Sequence, residues 1–308
     1  MAWIAPCCVA IGVAFPEVFA PVRAWVPALF AFITFQGALN NRFSQVAAVF
    51  RRPAFLLLLL TISTVVMPVV AYLFAMLCFA SDPDIVTGVV LEYSVPVAVV
   101  AYLWIGMYGG NRPLGLSAIL VSTVLAPFTI PLTLEALMGA HIQLDVPAMM
   151  GQMAYMIAIP AVLGMAVNDA SHRWGDGWGE RRLSPALGLA AKMLLVLIIT
   201  TNSTEMADYL RHPTWETLAV SLFILVFAAS GFVWGLLVAR RMRRPVADVV
   251  TATYVTGMRN ISAGAVIAAQ FFPGATVFPV MVGTMFQQVL AGLMSRHLVR
   301  LGAVPEGE

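Results

Sequence analysis

Twelve residues from Thr253 to Gly264, Thr-Tyr-Val-Thr-Gly-Met-Arg-Asn-Ile-Ser-Ala-Gly, put a guanidinium, a carboxamide and several hydroxyls inside an apolar run that extends from about Val249 to Phe272. Such a run is long enough to cross a bilayer, which takes roughly 20 residues. A charged side chain at that depth costs about 2.5–3.5 kcal/mol on insertion scales, and as a rule it faces a polar cavity or a partner. Gly257 and Asn260 are poor helix interiors, so the pattern predicts a helix broken there. A helix broken at mid-membrane aims free N–H and C=O groups at one spot, and transporters place binding sites at such spots. The plainer reading stays open, that Arg259 snorkels or pairs structurally with a neighbouring helix.

A second stretch carries complementary chemistry: Leu91-Glu-Tyr-Ser-Val-Pro-Val-Ala-Val-Val-Ala101. Pro96 cannot donate the helical hydrogen bond and disfavours helix at Val95. Glu92 lies one turn earlier, deep in apolar sequence. A buried carboxylate either pairs with a cation or takes up a proton. Arg259 is the obvious cation if the two breaks cross. Such a pair is either a structural clamp or part of a proton- or substrate-responsive gate. Tyr93 and Ser94 offer hydroxyls at the break, although Tyr93 could equally be packing. Gln287 and Gln288 either line the same cavity or bond between helices.

Enzyme chemistry needs a nucleophile, a base and an orienter within mutual reach. His141, His172, His212 and His297 all fall in loops or at span ends, so the sequence argues against an enzyme. Cys7, Cys8 and Cys78 have no metal-ligand spacing and read as small hydrophobes.

The elements that hold these groups are membrane helices. Of 308 residues, 61% are hydrophobic and 10% charged, a composition outside the range of soluble domains. We read ten spans, at about 3–21, 25–40, 54–80, 85–108, 113–138, 147–167, 184–202, 217–239, 248–272 and 275–297. The first lacks the basic flank of a signal peptide and is expected to be retained. With ten spans, one side of the membrane receives Arg42, Arg51, Arg52, Arg112, Arg173, Arg181, Arg182, Arg240, Arg241, Arg243, Arg244, Arg296 and Arg300; the other receives Arg23 and Arg211. The positive-inside rule makes the first side cytoplasmic, with both termini there and the chain in the inner (plasma) membrane. Nucleic-acid binding is not expected from these arginines.

Asp84-Ile-Val-Thr87 opens the fourth span and Asp248-Val-Val-Thr251 the ninth, 164 residues on. Pro96 then falls opposite Asn260. An odd step of five spans reverses orientation, so residues 1–138 and 139–308 read as inverted five-helix repeats. Paired broken helices in inverted halves point to a secondary transporter. The expected fold is an all-α membrane protein of ten transmembrane helices, with helices four and nine broken near Tyr93–Pro96 and Thr256–Asn260 and crossing.

These features resemble the bile acid:sodium symporter superfamily. The resemblance rests on the Pro96 break, Gly110-Asn111, Leu114, Ser122-Thr123, Ala126-Pro127 and Pro131, and on Gly257-Met258-Arg259-Asn260, which is similar to the family's crossover segment. Gln36, Met67-Pro68 and Asn202 fit more weakly. The resemblance implies a panel of spans 1, 2, 6 and 7, a core of spans 3–5 and 8–10, and transport of a small organic anion. The expected substrate-binding residues are Tyr93, Ser94, Pro96, Ala98, Gly257, Met258, Arg259 and Asn260, with Glu92 and Arg259 coupling. No cofactor is expected; Na+ or H+ enters only as coupling ion.

The sodium ligands do not carry over. Where sodium-coupled members place oxygen ligands for one ion, this chain has Ala101, Tyr102, Gly115, Ile119 and Val255; for the second it has Val255, Arg259 and Ser63. Hard cations need several oxygens at once, so the fixed guanidinium stands where an ion would. It could grip an anion bidentately. Alternatives from the same fold are an efflux carrier like the arsenite exporters, which use a Cys where Val97 stands, and a sodium symporter using backbone ligands.

Overall fold

The computed structural model describes residues 4–44 and 53–303, all helical apart from turns and one isolated β-bridge. Arg51 and Arg52 lie outside the described residues, as do residues 1–3 and 304–308. Among the described residues, seven helices are long and apolar enough to cross a membrane: α2 (Pro16–Ala38), α3 (Pro53–Phe79), α5 (Arg112–Met138), α6 (Val146–Arg173), α7 (Gly179–Met206), α8 (Trp215–Arg241) and α10 (Gly274–Arg300). The remaining apolar segments are short or interrupted. They are α1 (Ile4–Ala14), α4a (Pro83–Ser94) with α4b (Ala101–Met107), and α9a (Val246–Gly257) with α9b (Ile261–Phe271).

The first expected boundary was misplaced. The chain breaks at Phe15, not after residue 21, because Pro16 takes the first helical position, where its missing N–H is harmless. The guanidinium of Arg211 then reaches the carbonyls of Val13 and Ala14, capping the end of α1. Asp82, and not Asp84, caps α4a, its carboxylate accepting from the Asp84 and Ile85 N–H groups. Three helices widen to π geometry, at Ile62–Val66, Ala154–Ala158 and Gly179–Leu183. Each widened turn ends two residues before a proline, Pro68, Pro160 and Pro185. The extra residue moves the carbonyl four back out of the way of the proline ring, which would otherwise clash with it.

Three pairs of elements match in described length. Helices α3 and α8 have 27 residues each and start at Pro53 and Trp215; α5 and α10 also have 27 and start at Arg112 and Gly274. The half-helices α4a and α9a have 12 each. The first packs on α3 and α10, the second on α8 and α5. Helices α1, α2, α6 and α7 pack mainly on one another.

Glycine decides how close these helices come. Gly231 and Gly235 form a Gly-x-x-x-Gly pair on α8, and a Cβ on Gly231 would lie 3.0 Å from the Thr256 carbonyl. Small residues at this spacing let two membrane helices touch backbones. The contact is secured by Thr256 Oγ1, which lies 2.8 Å from the Gly231 carbonyl. The other end of α9a is tied to the α4b–α5 turn. Asn111 donates through Nδ2 to Asp248 at 2.8 Å, and Arg244 donates to the same carboxylate at 2.9 Å.

Candidate functional site

The two interrupted helices cross at their breaks and bond to each other there. Val97 and Arg259 form an antiparallel bridge. The Ala98 N–H donates to the Met258 carbonyl at 3.0 Å, and the Asn260 N–H donates to the Pro96 carbonyl at 2.8 Å. Sequence reasoning placed the first break at Tyr93–Pro96. It runs later and longer, from Val95 to Val100, because Pro96 ends the helix before it and the bridge holds Val97 and Ala98 extended.

Breaking two helices in a bilayer frees backbone groups that must find partners. Neighbouring helices provide them. Ser122 of α5 accepts from the Val97 N–H at 3.2 Å, and Gln287 of α10 accepts from the Arg259 N–H at 2.7 Å. Each break is therefore finished by one polar side chain from the long helix that follows it.

Most of the expected site residues gather here, but they face different ways. Pro96, Ala98, Gly257 and Met258 are buried. Gly257 is required by space, since a Cβ would overlap the Phe232 ring. The Tyr93 hydroxyl donates to the Ile224 carbonyl at 3.3 Å and the Ser94 hydroxyl to the Val90 carbonyl at 2.7 Å. Both hydroxyls are thus engaged with backbone. Asn260 is the exception. It stays partly exposed, and its Oδ1 caps α9b by accepting from the Ala263 N–H at 3.3 Å. Val99, in the other break, is 64% exposed, so the crossing has an accessible edge.

Glu92 and Arg259 meet in a single cavity without touching. It is lined by both of them together with Met67, Tyr93, Gly231, Thr256, Gly283 and Gln287, among others. Its interior has room for about one water molecule. Arg259 is 3% exposed and Glu92 2%. Among the described residues, no guanidinium nitrogen of Arg259 has a hydrogen-bond partner, nor has Glu92 Oε2. An organic anion does not fit beside Arg259 in this conformation; a bidentate grip would need the cavity to widen. Sequence reasoning missed Gly283. A Cβ on it would overlap Glu92 Oε1, so this glycine makes the space the carboxylate occupies.

Several positions compared above with the family's sodium ligands lie in apolar surroundings. Ala101, Ile119 and Val255 are buried in one apolar cluster, with Tyr102 packed against it. Gly115 abuts Ile105. The Ser63 hydroxyl donates to the Val255 carbonyl at 3.3 Å. Among the described residues, no group of three or more His, Cys, Asp or Glu could hold a metal.

Residues 26–213 match the family described as the Sodium Bile acid symporter family. The chain is 34% identical over 305 residues to the protein YbaS of Bacillus subtilis (strain 168), covering 99% of this chain and 98% of that one. It is 22% identical over 229 residues to the protein PA2026 of Pseudomonas aeruginosa, covering 71% of this chain and 67% of PA2026. It is 17% identical over 287 residues to YocS of Bacillus subtilis (strain 168), which is named a sodium-dependent transporter, covering 93% and 87%.

Proposed function

Because the chain belongs to the sodium bile acid symporter family, a family of membrane transporters, we propose that it is a secondary active transporter of a small organic anion. It works by alternating access in the cell's inner membrane, with ten spans in two inverted repeats and both termini cytoplasmic. The observation that carries this reading is the crossing of two broken helices beside a buried, unpartnered guanidinium. Helices α1, α2, α6 and α7 form the panel, and the rest form the core that carries the crossing.

The anion docks at the accessible edge, on Asn260 and the N-terminus of α9b, where the helix dipole favours negative charge. Pro96, Ala98, Gly257 and Met258 shape that edge, with Tyr93 and Ser94 behind it. Arg259 adds the fixed positive charge that a bound ion would otherwise bring. An anion at the crossing competes with Glu92 for that charge. Glu92 then takes up a proton, and the anion and proton move together.

The test is uptake by purified protein in proteoliposomes, screened with radiolabelled organic anions. Uptake should survive replacement of sodium by choline. Arg259→Ala should abolish binding, whereas Glu92→Gln should retain binding and lose the pH dependence of uptake. Steep sodium dependence would favour the alternative, a sodium symporter using backbone oxygens. Normal binding in Arg259→Ala would refute the role of the guanidinium.

A further inference from the structure

The two groups of helices meet through polar contacts at the end that carries Arg23 and Arg211. Gln270, near the end of α9b, donates through Nε2 to the Arg23 carbonyl at 3.3 Å. Its Oε1 accepts from Nε2 of Gln152 on α6 at 3.4 Å. Arg23 itself forms an ion pair with Glu205 at the end of α7. Glu205 in turn lies against the first residue of α10, where a Cβ on Gly274 would stand 3.2 Å from its Oε2. A carboxylate at a helix N-terminus is favourably placed. Gln270 thus ties α9b to α2 and α6, and Glu205 of α7 stands at the start of α10. At the opposite end, Ala38, Ala161 and Met165 meet Leu120 of α5 through apolar contact.

The same seam also holds groups that oppose its closure. Asn202, on α7, is 2% exposed, and neither atom of its amide has a partner. The Thr201 hydroxyl beside it is also without one. One turn to either side, Ile198 and Met206 belong to the packed cluster that contains Ala265, Val266 and Ala268 of α9b. Burying an amide without hydrogen bonds is unfavourable, and access to water would relieve it.

We propose that this end is a two-state gate. Gln270, through Gln152 and the Arg23 carbonyl, latches it shut, and the unpartnered Asn202 amide biases it toward opening. The gate rests on the alternating-access reading above, and the positive-inside rule makes it the outer one. Because latch and bias act in opposite directions, their removal must have opposite effects.

The experiment uses the full chain with Cys7, Cys8 and Cys78 replaced by Ser and a single reporter, Val266→Cys. Val266 is fully buried and lies one turn before Gln270 on the same face of α9b. A membrane-impermeant maleimide is added outside cells, and the labelling rate is followed. Gln270→Leu removes both bonds at similar size and should raise the rate about tenfold, as expected for two hydrogen bonds of ordinary net strength. Asn202→Leu should lower it by a similar factor. Unchanged labelling in Gln270→Leu, or faster labelling in Asn202→Leu, would each overturn the gate. Labelling needs no substrate, so these outcomes are independent of whether the anion assay succeeds.

Discussion

Replacing Glu92 by Gln strands the Arg259 guanidinium in the core of the protein. The two groups face one small cavity, each nearly fully buried, and no guanidinium nitrogen lies within 4.0 Å of the carboxylate. Two unit charges about 4 Å apart interact by about 4 kcal/mol at an effective dielectric constant of 20, and by about 2 kcal/mol at about 8 Å. The Glu92–Arg259 coupling should therefore fall at roughly 2–4 kcal/mol. Arginine does not lose its proton in proteins, so Glu92→Gln leaves a full positive charge with no counter-charge. Removing one side of a buried pair costs about 3–5 kcal/mol, whereas replacing both sides by groups of similar volume is neutral or stabilising. Arg259→Met should cost less than Glu92→Gln, because a carboxylate can be neutralised by a proton. The double variant should recover most of what either single variant loses. The assay is thermal unfolding of the detergent-purified protein, followed by intrinsic tryptophan fluorescence. The expected order of Tm is Glu92→Gln lowest, then Arg259→Met, then wild type, with the double variant at or near wild type. A double variant whose Tm loss equals the sum of the two single losses would refute the coupling.

Two further outcomes follow from the crossing. Ser122→Ala leaves the Val97 N–H buried without an acceptor, so it should destabilise by about 1–3 kcal/mol, and Ser122→Thr should restore most of the loss in the same Tm measurement. Gly283→Ala drives a methyl into Glu92 Oε1 and should cost about 1–3 kcal/mol as overpacking; a Tm unchanged from wild type would mean that Glu92 has another place to go.

The sequence by itself determined the class of the protein and the position of its chemistry. Apolar runs of bilayer length leave no other class, and a charge inside such a run is so unfavourable that Glu92 and Arg259 identify themselves. Pro96, and Gly257 with Asn260, located both breaks within a few residues, because local backbone preference is a property of the residue itself. The bounds of the second break carried over well; those of the first did not, since its length is set by a bridge to Arg259 that lies 162 residues away. That the breaks touch was an expectation from an inferred repeat, and only the folded chain brought them together. Tertiary structure also decided which polar groups remain free. Tyr93, Ser94, Ser63 and Thr256 look alike in sequence as candidate ligands, yet each hydroxyl is engaged with a backbone carbonyl. Asn202 stood out only weakly in sequence and Gln270 not at all, and packing left the first without partners and gave the second two. The physical reason is that hydrogen-bond satisfaction in a dry interior depends on what lies within about 3 Å of an atom, and the sequence does not carry that distance.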